Sequence, residues 1–430
     1  MFENVLGQEA VLRITSDLRN GTLPPSILFE GPPAAGKGTA ALELGRALSC
    51  NNPEVPWNCT CPECDKHRQL NHPDLLLLGS KAFSAEIAAS SAAYLRDPES
   101  AAKLLFFRSV RKLLYRFNPV LWEGEEGRLS KLSPLLNICD EILEELGSSN
   151  LDKAGLEKLV TDLMKHAFQL EREGISDTIP IFQIRRASYW SRLAPSGKRK
   201  LLIIENADRM QDGARNALLK ILEEPPETTQ IVLCTTQKAA MLPTIRSRLR
   251  PYAFEQRSHK TEQEVIRRVF RDPEIEKRAD VPNLQKYLES FLPITPEQVS
   301  RSAAIFFSVL IQKARNKEVR NQNNLKTLLS YGNTFPELDV GLQSSFRGAL
   351  LVILKDMENF SIPLLFSGFL KELLNICGEL LATSQAAPAL VSLLSMWKAH
   401  IKEADTAVIA YNQSPASSLE RLFVSMLETI

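Results

Sequence analysis

The chain has no apolar run approaching the roughly 18 residues that a membrane-spanning helix needs. Its most apolar late stretch, Ile362 to Leu374, is interrupted by Ser367, Gly368, Lys371 and Glu372. A dominant charge is also missing: 52 Lys and Arg face 51 Asp and Glu, a formal net charge of +1. Any nucleic acid must therefore be held by local patches rather than by a global field. Met1 to Glu9 lacks the basic-then-apolar pattern of a secretion signal, so the cytoplasm is the expected location. A secreted disulfide framework finds no support, because the seven cysteines are odd in number and four of them, Cys50, Cys59, Cys61 and Cys64, crowd together. In a reducing compartment such a cluster reads as metal ligation, while Cys139, Cys234 and Cys377 read as small buried apolar residues.

What the chain does have is an ordinary globular composition, 44% hydrophobic and 24% charged over 430 residues. At roughly 100–200 residues per domain, two to four domains follow. Ile27 to Glu30, Leu75 to Leu78, Leu201 to Ile204 and Gln230 to Cys234 are short apolar runs between helical patterns. They predict buried strands of a parallel sheet covered by helices. Between the second and third of them, residues 82–173 change to an Ala, Leu, Lys and Glu style with helical spacing, as in Leu135, Ile138, Ile142, Leu143 and Leu146. This stretch is expected to be a helical insertion. After Phe254 the pattern is almost wholly helical, with breaks expected at Asp280 to Asn283, Pro293 to Pro296 and Tyr331 to Pro336.

Gly31-Pro32-Pro33-Ala34-Ala35-Gly36-Lys37-Gly38-Thr39 follows a predicted strand and opens a predicted helix. That is the context of a phosphate-binding loop: glycines let backbone N–H groups curl around phosphate oxygens, the helix N-terminus adds positive potential, and Lys37 can reach the outer phosphates. The residue after the lysine normally supplies a hydroxyl to Mg²⁺. Here it is Gly38, and Thr39 stands one place late, a rotation of about 100° around the helix. The strand Leu201 to Ile204 ends in Glu205-Asn206-Ala207-Asp208, where a working ATPase of this type is expected to present Asp-Glu. Asn206 cannot accept a proton as a carboxylate does, Glu205 could hold a metal only at a longer reach, and Asp208 reads as part of a surface turn.

Zinc takes four soft ligands in a tetrahedron, and Cys61-x-x-Cys64 is a half-site that Cys50 and Cys59 can complete. His67 or His72 could replace one cysteine. Arg108, Arg111, Lys112 and Arg116 recur at helical spacing in the insertion and read as a solvated face, with DNA or a partner as the alternative.

Gln8, the phosphate loop, the four cysteines, His72-Pro73-Asp74, the segment from Asn216 to Pro226 and Thr244-Ile245-Arg246-Ser247-Arg248 occur in that order. Together they resemble the bacterial DNA polymerase III clamp-loader subunits of the AAA+ class, its delta-prime members more than its gamma/tau members. The family's cysteine spacing is one residue longer at the Cys59-x-Cys61 step, and Leu249 stands where the family has cysteine after Ser-Arg. The resemblance implies an α/β P-loop AAA+ domain over 1–255, with a zinc module at 50–64 and the insertion at 82–173. An all-α lid over 256–295 and a helical collar over 296–430 follow. It implies that Arg248, with Ser247, is a finger reaching a neighbouring subunit's ATP, where a planar permanent cation spreads over the developing charge. Gly31, Gly36, Lys37, Gly38, Thr39, Glu205 and Asn206 become a nucleotide-loop site, ATP-binding or vestigial, and Cys50, Cys59, Cys61 and Cys64 a structural zinc site.

The expected role is a stator-like subunit of DNA polymerase III with little or no ATPase of its own, in a hetero-oligomer with the gamma/tau and delta subunits, sliding clamp and primer-template DNA. Arg185 and Arg186, after Ile179 to Ile184, match a family segment at a helix start that could touch the DNA backbone or pair within the sheet layer. The rival readings are a hydrolysing motor subunit and a nucleoside monophosphate kinase. The kinase shares the Gly-x-Pro-x-x-Gly-Lys-Gly-Thr pattern but is not expected to carry the cysteines or the Glu-Glu-Pro-Pro and Ser-Arg segments.

Overall fold

The computed structural model describes residues 1–98, 100–148, 151–277, 283–292, 296–315, 322–332, 346–348, 350, 352–353, 362–383, 388–409, 411 and 413–430. Two compact units emerge, Met1–Leu292 and Pro293–Ile430.

In the first unit β1 (Ser26–Glu30), β2 (Leu75–Gly79), β3 (Lys200–Glu205), β4 (Thr229–Thr235) and β5 (Arg250–Ala253) form one parallel sheet in the order β2-β3-β4-β1-β5. The four expected strands are all present. The fifth went unread because it is an edge: Arg-Pro-Tyr-Ala buries only Tyr252, and an edge tolerates Pro251.

Helices cover both faces. They are α1 (Glu9–Arg19), α2 (Lys37–Ser49), α3 (Pro62–Arg68), α4 (Ser84–Arg96), α5 (Ser100–Leu114), α6 (Pro119–Trp122), α7 (Glu126–Ser148) and α8 (Lys153–Gly174). They continue with α9 (Ile181–Arg192), α10 (Asp212–Glu223), α11 (Pro243–Arg246), α12 (His259–Val269) and α13 (Leu284–Glu289). The expected insertion is thus helical, running from α4 to α8. Side chains alternate along each strand. Leu76, Leu78, Leu202 and Ile204 turn to one face, into a core shared with Phe106, Val110, Phe117 and Trp122 of the insertion. Leu75, Leu77, Leu201 and Ile203 turn to the other, against Ile14 of α1 and Leu44 of α2. The insertion therefore forms part of the fold's main apolar layer, and its residues reach the carboxyl ends of the strands.

The second unit contains α14 (Pro296–Arg315), α15 (Gln322–Gly332), α16 (Ile362–Thr383), α17 (Pro388–Ile409) and α18 (Pro415–Thr429). They share a core around Trp397, whose indole N–H donates to the Met426 carbonyl at 3.1 Å. The breaks expected at Asp280–Asn283, Pro293–Pro296 and Tyr331–Pro336 fall mostly outside the described residues. Among the described residues no helix is long and apolar enough to cross a membrane.

Candidate functional site

In an open parallel sheet the carboxyl ends of the strands are where ligands bind. The loop from Gly31 to Gly36 leaves the end of β1 and enters α2 at Lys37. Gly36 has φ +94° and Ala34 φ +57°, so the chain curls back just before the helix. Arg257 holds this curl from behind: its guanidinium donates to the Ala34 carbonyl at 2.6 Å and to the Leu6 carbonyl at 2.8 Å. A Cβ at Gly36 would lie 2.7 Å from Arg257 Nη2, which with the positive φ accounts for glycine there.

Lys37 is buried, and its ammonium donates to the Gly31 carbonyl at 2.8 Å and to the Pro32 carbonyl at 2.5 Å. Burial pulls its pKa down to about 8, against the raising influence of Cys234, Asp208 and Glu205. Glu205, at the tip of β3, faces the first turn of α2: a Cβ at Gly38 would lie 2.5 Å from its Oε1. Its other oxygen pairs with Arg116, which is almost fully buried in the turn Tyr115–Phe117 after α5. The Arg116 guanidinium lies over the Phe83 ring, 5.2 Å from its centroid, and burial lowers its pKa. Thr39 is half-buried on the next position of the helix.

Asn206 adopts φ +52°, a left-handed conformation that asparagine tolerates, and its amide donates to Ser80 Oγ at 3.2 Å. Asp208 corrects its surface-turn reading. It is buried and accepts a hydrogen bond from Thr235 Oγ1, at the end of β4, at 2.5 Å. The basic stretch of the insertion is likewise not one solvated face. Lys112 is buried and pairs with Glu86 at 2.7 Å, Arg111 reaches the Gln69 carbonyl at 3.3 Å, and Arg116 enters the cradle. The helix packs between α4 and the strand ends, which commits residues on more than one of its sides. Sequence reasoning missed Arg257 altogether, and named Arg116 only as part of a solvated face or a DNA or partner contact, not as a residue of the cradle. The only local signal for Arg116 was its place between Tyr115 and Phe117, an aromatic flank that favours burial.

At the other end of α2, roughly 20 Å away at 1.5 Å per residue, the four cysteines converge. The sulfurs of Cys50, Cys59, Cys61 and Cys64 all lie within 4.8 Å of one another. Cys50 and Cys59 are 3.7 Å apart, close to the roughly 3.8 Å between ligands of a tetrahedron with bonds of about 2.3 Å. The short Cys59-x-Cys61 step therefore does not prevent closure, because Cys61 caps α3 and Cys64 projects from its first turn. Burial opposes ionisation of Cys61, but hydrogen bonds from the Asn51 and Cys64 backbone and neighbouring thiols bring its pKa to about 6. Arg46, fully buried, donates to Cys64 Sγ at 3.0 Å and pairs with Glu43 at 2.6 Å.

This donor set could hold a metal such as zinc. The histidines lie outside it: His67 Nε2 meets Ser49 Oγ at 2.9 Å, and His72 Nε2 meets Glu63 at 2.7 Å. Asp74 accepts the Ser196 and Gly197 N–H groups at 2.8 and 2.6 Å, so His72-Pro73-Asp74 ties α3 to the turn before β3. Gln8 makes a two-way amide pair with the Glu255 backbone at 2.8 and 2.9 Å.

Arg248 lies past α11 on the surface. It donates to the Thr244 carbonyl at 2.6 Å and pairs with Glu223 at 2.7 Å, while Ser247 Oγ donates to the same carbonyl at 3.1 Å. Leu249 is buried in the main core, which explains how leucine fits there. Arg185 is exposed on α9, and Arg186 pairs with Glu123 at 3.2 Å.

The family described as "DNA polymerase III, delta subunit" matches residues 7–103 and 153–258. The chain is 40% identical over 82 residues to DNA polymerase III subunit delta' of Pseudomonas aeruginosa, covering 19% of this chain and 25% of that protein. Over those residues the chain is similar to the delta-prime and gamma/tau subunits of DNA polymerase III. It is 42% identical over 66 residues to subunit delta' of Bacillus subtilis, covering 15% of this chain and 20% of that one. Against subunit gamma/tau of Mycobacterium tuberculosis it is 31% identical over 96 residues, 22% of this chain and 16% of the other. The chain thus matches a quarter or less of the length of these relatives. A crystal structure of a DNA polymerase III gamma subunit-related protein from Thermotoga maritima aligns over 58% of this chain and 80% of that one, with 20% identity and a TM-score of 0.26. Within the helical stretch 82–173 the family match covers 82–103 and 153–173 and leaves 104–152, which contains Arg116, unmatched.

Proposed function

We propose that the chain is a stator-like, non-hydrolysing clamp-loader subunit that helps place a sliding clamp on primed DNA and lends Arg248 to a neighbouring subunit's ATP. The observation that carries this reading is the state of the cradle: Glu205 is bound to Arg116, and Gly38 offers no hydroxyl beside it. A magnesium ion bridging nucleotide phosphates takes its protein oxygens from these two places, and neither is free to serve. Arg248 is exposed and, among the described residues, is held by a surface pair and a helix carbonyl, bonds that a phosphate could replace at little cost. Residues 256–295 serve as lid and 296–430 as collar, the collar joining the chain to gamma/tau and delta subunits. Cys50, Cys59, Cys61 and Cys64 hold a structural zinc with no open coordination position, and the protein works in the cytoplasm.

Reconstitution with the ATPase subunits, clamp and primed DNA tests the reading. The isolated chain is expected to show no turnover. In the complex, Arg248→Ala is expected to slow hydrolysis at the site it serves by about 10³–10⁵-fold. Turnover by the isolated chain that disappears in Lys37→Ala would instead identify a motor subunit, and an unchanged rate with Arg248→Ala would remove the finger.

A further inference from the structure

We propose that the insertion supplies the cradle's resident cation: Arg116, set against Glu205, takes the place of the metal, so the loop keeps its shape without nucleotide and refuses magnesium-nucleotide. The inference rests on the non-hydrolysing reading above and adds to it a named agent and a purpose for the segment 104–152.

Every cationic and anionic group of the cradle already has an internal partner. Lys37, the group that would reach the outer phosphates, spends its hydrogen bonds on the carbonyls of Gly31 and Pro32. Glu205 uses one oxygen on Arg116 and lays the other against Gly38. Asp208 is bonded to Thr235, and Arg257 to the carbonyls of Leu6 and Ala34. Entry of a metal-bound phosphate requires Glu205 to leave Arg116. The arginine is 3% exposed, and its Nε and Nη1 have no hydrogen-bond partner among the described residues. Without Glu205 it would be a buried and uncompensated charge, and such a state is strongly disfavoured. The pair is thus a lock whose opening strands its own key.

Geometry adds a second barrier. A Cβ at position 38 would lie 2.5 Å from Glu205 Oε1, so any hydroxyl-bearing side chain there requires Glu205 to shift from its place beside Arg116. The turn that presents Arg116 is fixed in turn: the Trp122 indole N–H donates to the Arg116 carbonyl at 2.8 Å, and Trp122 stacks on Phe117 with centroids 5.7 Å apart. A surface arginine swinging in from solvent would not be held in this way.

The test combines calorimetric titration with a double-substitution cycle on the full chain. Wild-type protein is expected to give no binding to ADP or ATP with magnesium at Kd tighter than about 1 mM. Binding below that limit overturns the proposal whatever the variants do. Arg116→Met is expected to lower Tm by about 6–20 °C, and Arg116→Met/Glu205→Met to recover most of that loss, because two apolar residues replace a pair rather than half of one. If Arg116→Met does not fold, soluble double variant counts as the recovery. Additive losses, or a double variant no better than the single, refute the coupling. A chain that refuses nucleotide but fails to stimulate its partners would defeat the stator reading and leave the lock standing.

Discussion

Glu205 Oε1 lies 2.5 Å from the point where a Cβ on Gly38 would stand, so the acidic tip of β3 and the first turn of α2 touch where most phosphate loops carry a hydroxyl. Restoring the side chain should therefore do harm. Gly38→Ser is expected to push Glu205 off Arg116 and cost about 1–3 kcal/mol, as overpacking does elsewhere. Urea unfolding of the full chain checks it. A stabilised variant, or one that acquires ATP turnover, would mean that Glu205 moves aside freely.

The cysteine cluster makes a separate prediction. Protein purified without chelator is expected to hold one zinc per chain by elemental analysis, and Cys59→Ser to lose it. Arg46→Met should weaken retention by about 10–100-fold, the usual effect of removing a group that hydrogen-bonds a ligand. Because the ligands must be thiolates, retention is expected to fall as pH drops. Equal retention by wild type and Arg46→Met would show that the bond to Cys64 has no influence on the metal.

His67 is buried beside His72, with ring centroids 4.1 Å apart. Burial, aided by the charges of His72, Arg108 and Arg46, depresses its pKa to about 3. The unfolded chain protonates this ring near 6.5, so below that pH the unfolded state binds the extra proton and the folded state does not. Its effect is absent above about pH 7 and grows as pH falls toward 3, by about 1.4 kcal/mol per unit. Wild-type stability should drop about 2 kcal/mol more than that of His67→Gln between pH 7 and pH 5. Parallel pH profiles in denaturant titrations would contradict this.

Glu223 holds Arg248 across an exposed pair, 50% and 33% exposed respectively. Glu223→Gln is expected to change stability by less than about 0.5 kcal/mol. In the reconstituted complex it should leave hydrolysis within about twofold, since it costs Arg248 only a resting partner. A collapse of turnover comparable to that of Arg248→Ala would make the pair itself part of the working site.

Much of this architecture was legible in advance where chemistry is local. The four apolar runs became β1 to β4 because an unbroken row of Leu, Ile, Val or Phe is stable only when both faces are covered. The glycines and lysine of the loop, and the cysteines at short spacing, are near neighbours along the chain and so could be paired on paper. The edge strand β5 escaped because pairing on one side only leaves no such row. The ligand geometry of the short cysteine step needed the start of α3 to be seen.

Residue types and their order decided the sheet, the helical second unit and the likeness to DNA polymerase III subunits. They also decided that the loop lacks a hydroxyl at Gly38 and a second carboxylate at Asn206, since those are facts of composition at one position. Only the packed molecule decided what fills the gap. Arg116 and Glu205 are 89 positions apart, and nothing in either neighbourhood announces the other. They meet because the insertion buries its apolar side on the same face of the sheet as Leu78 and Ile204, which carries one arginine to the strand ends. Long-range electrostatic partners are set by which surfaces exclude water together, and that is a property of the folded whole.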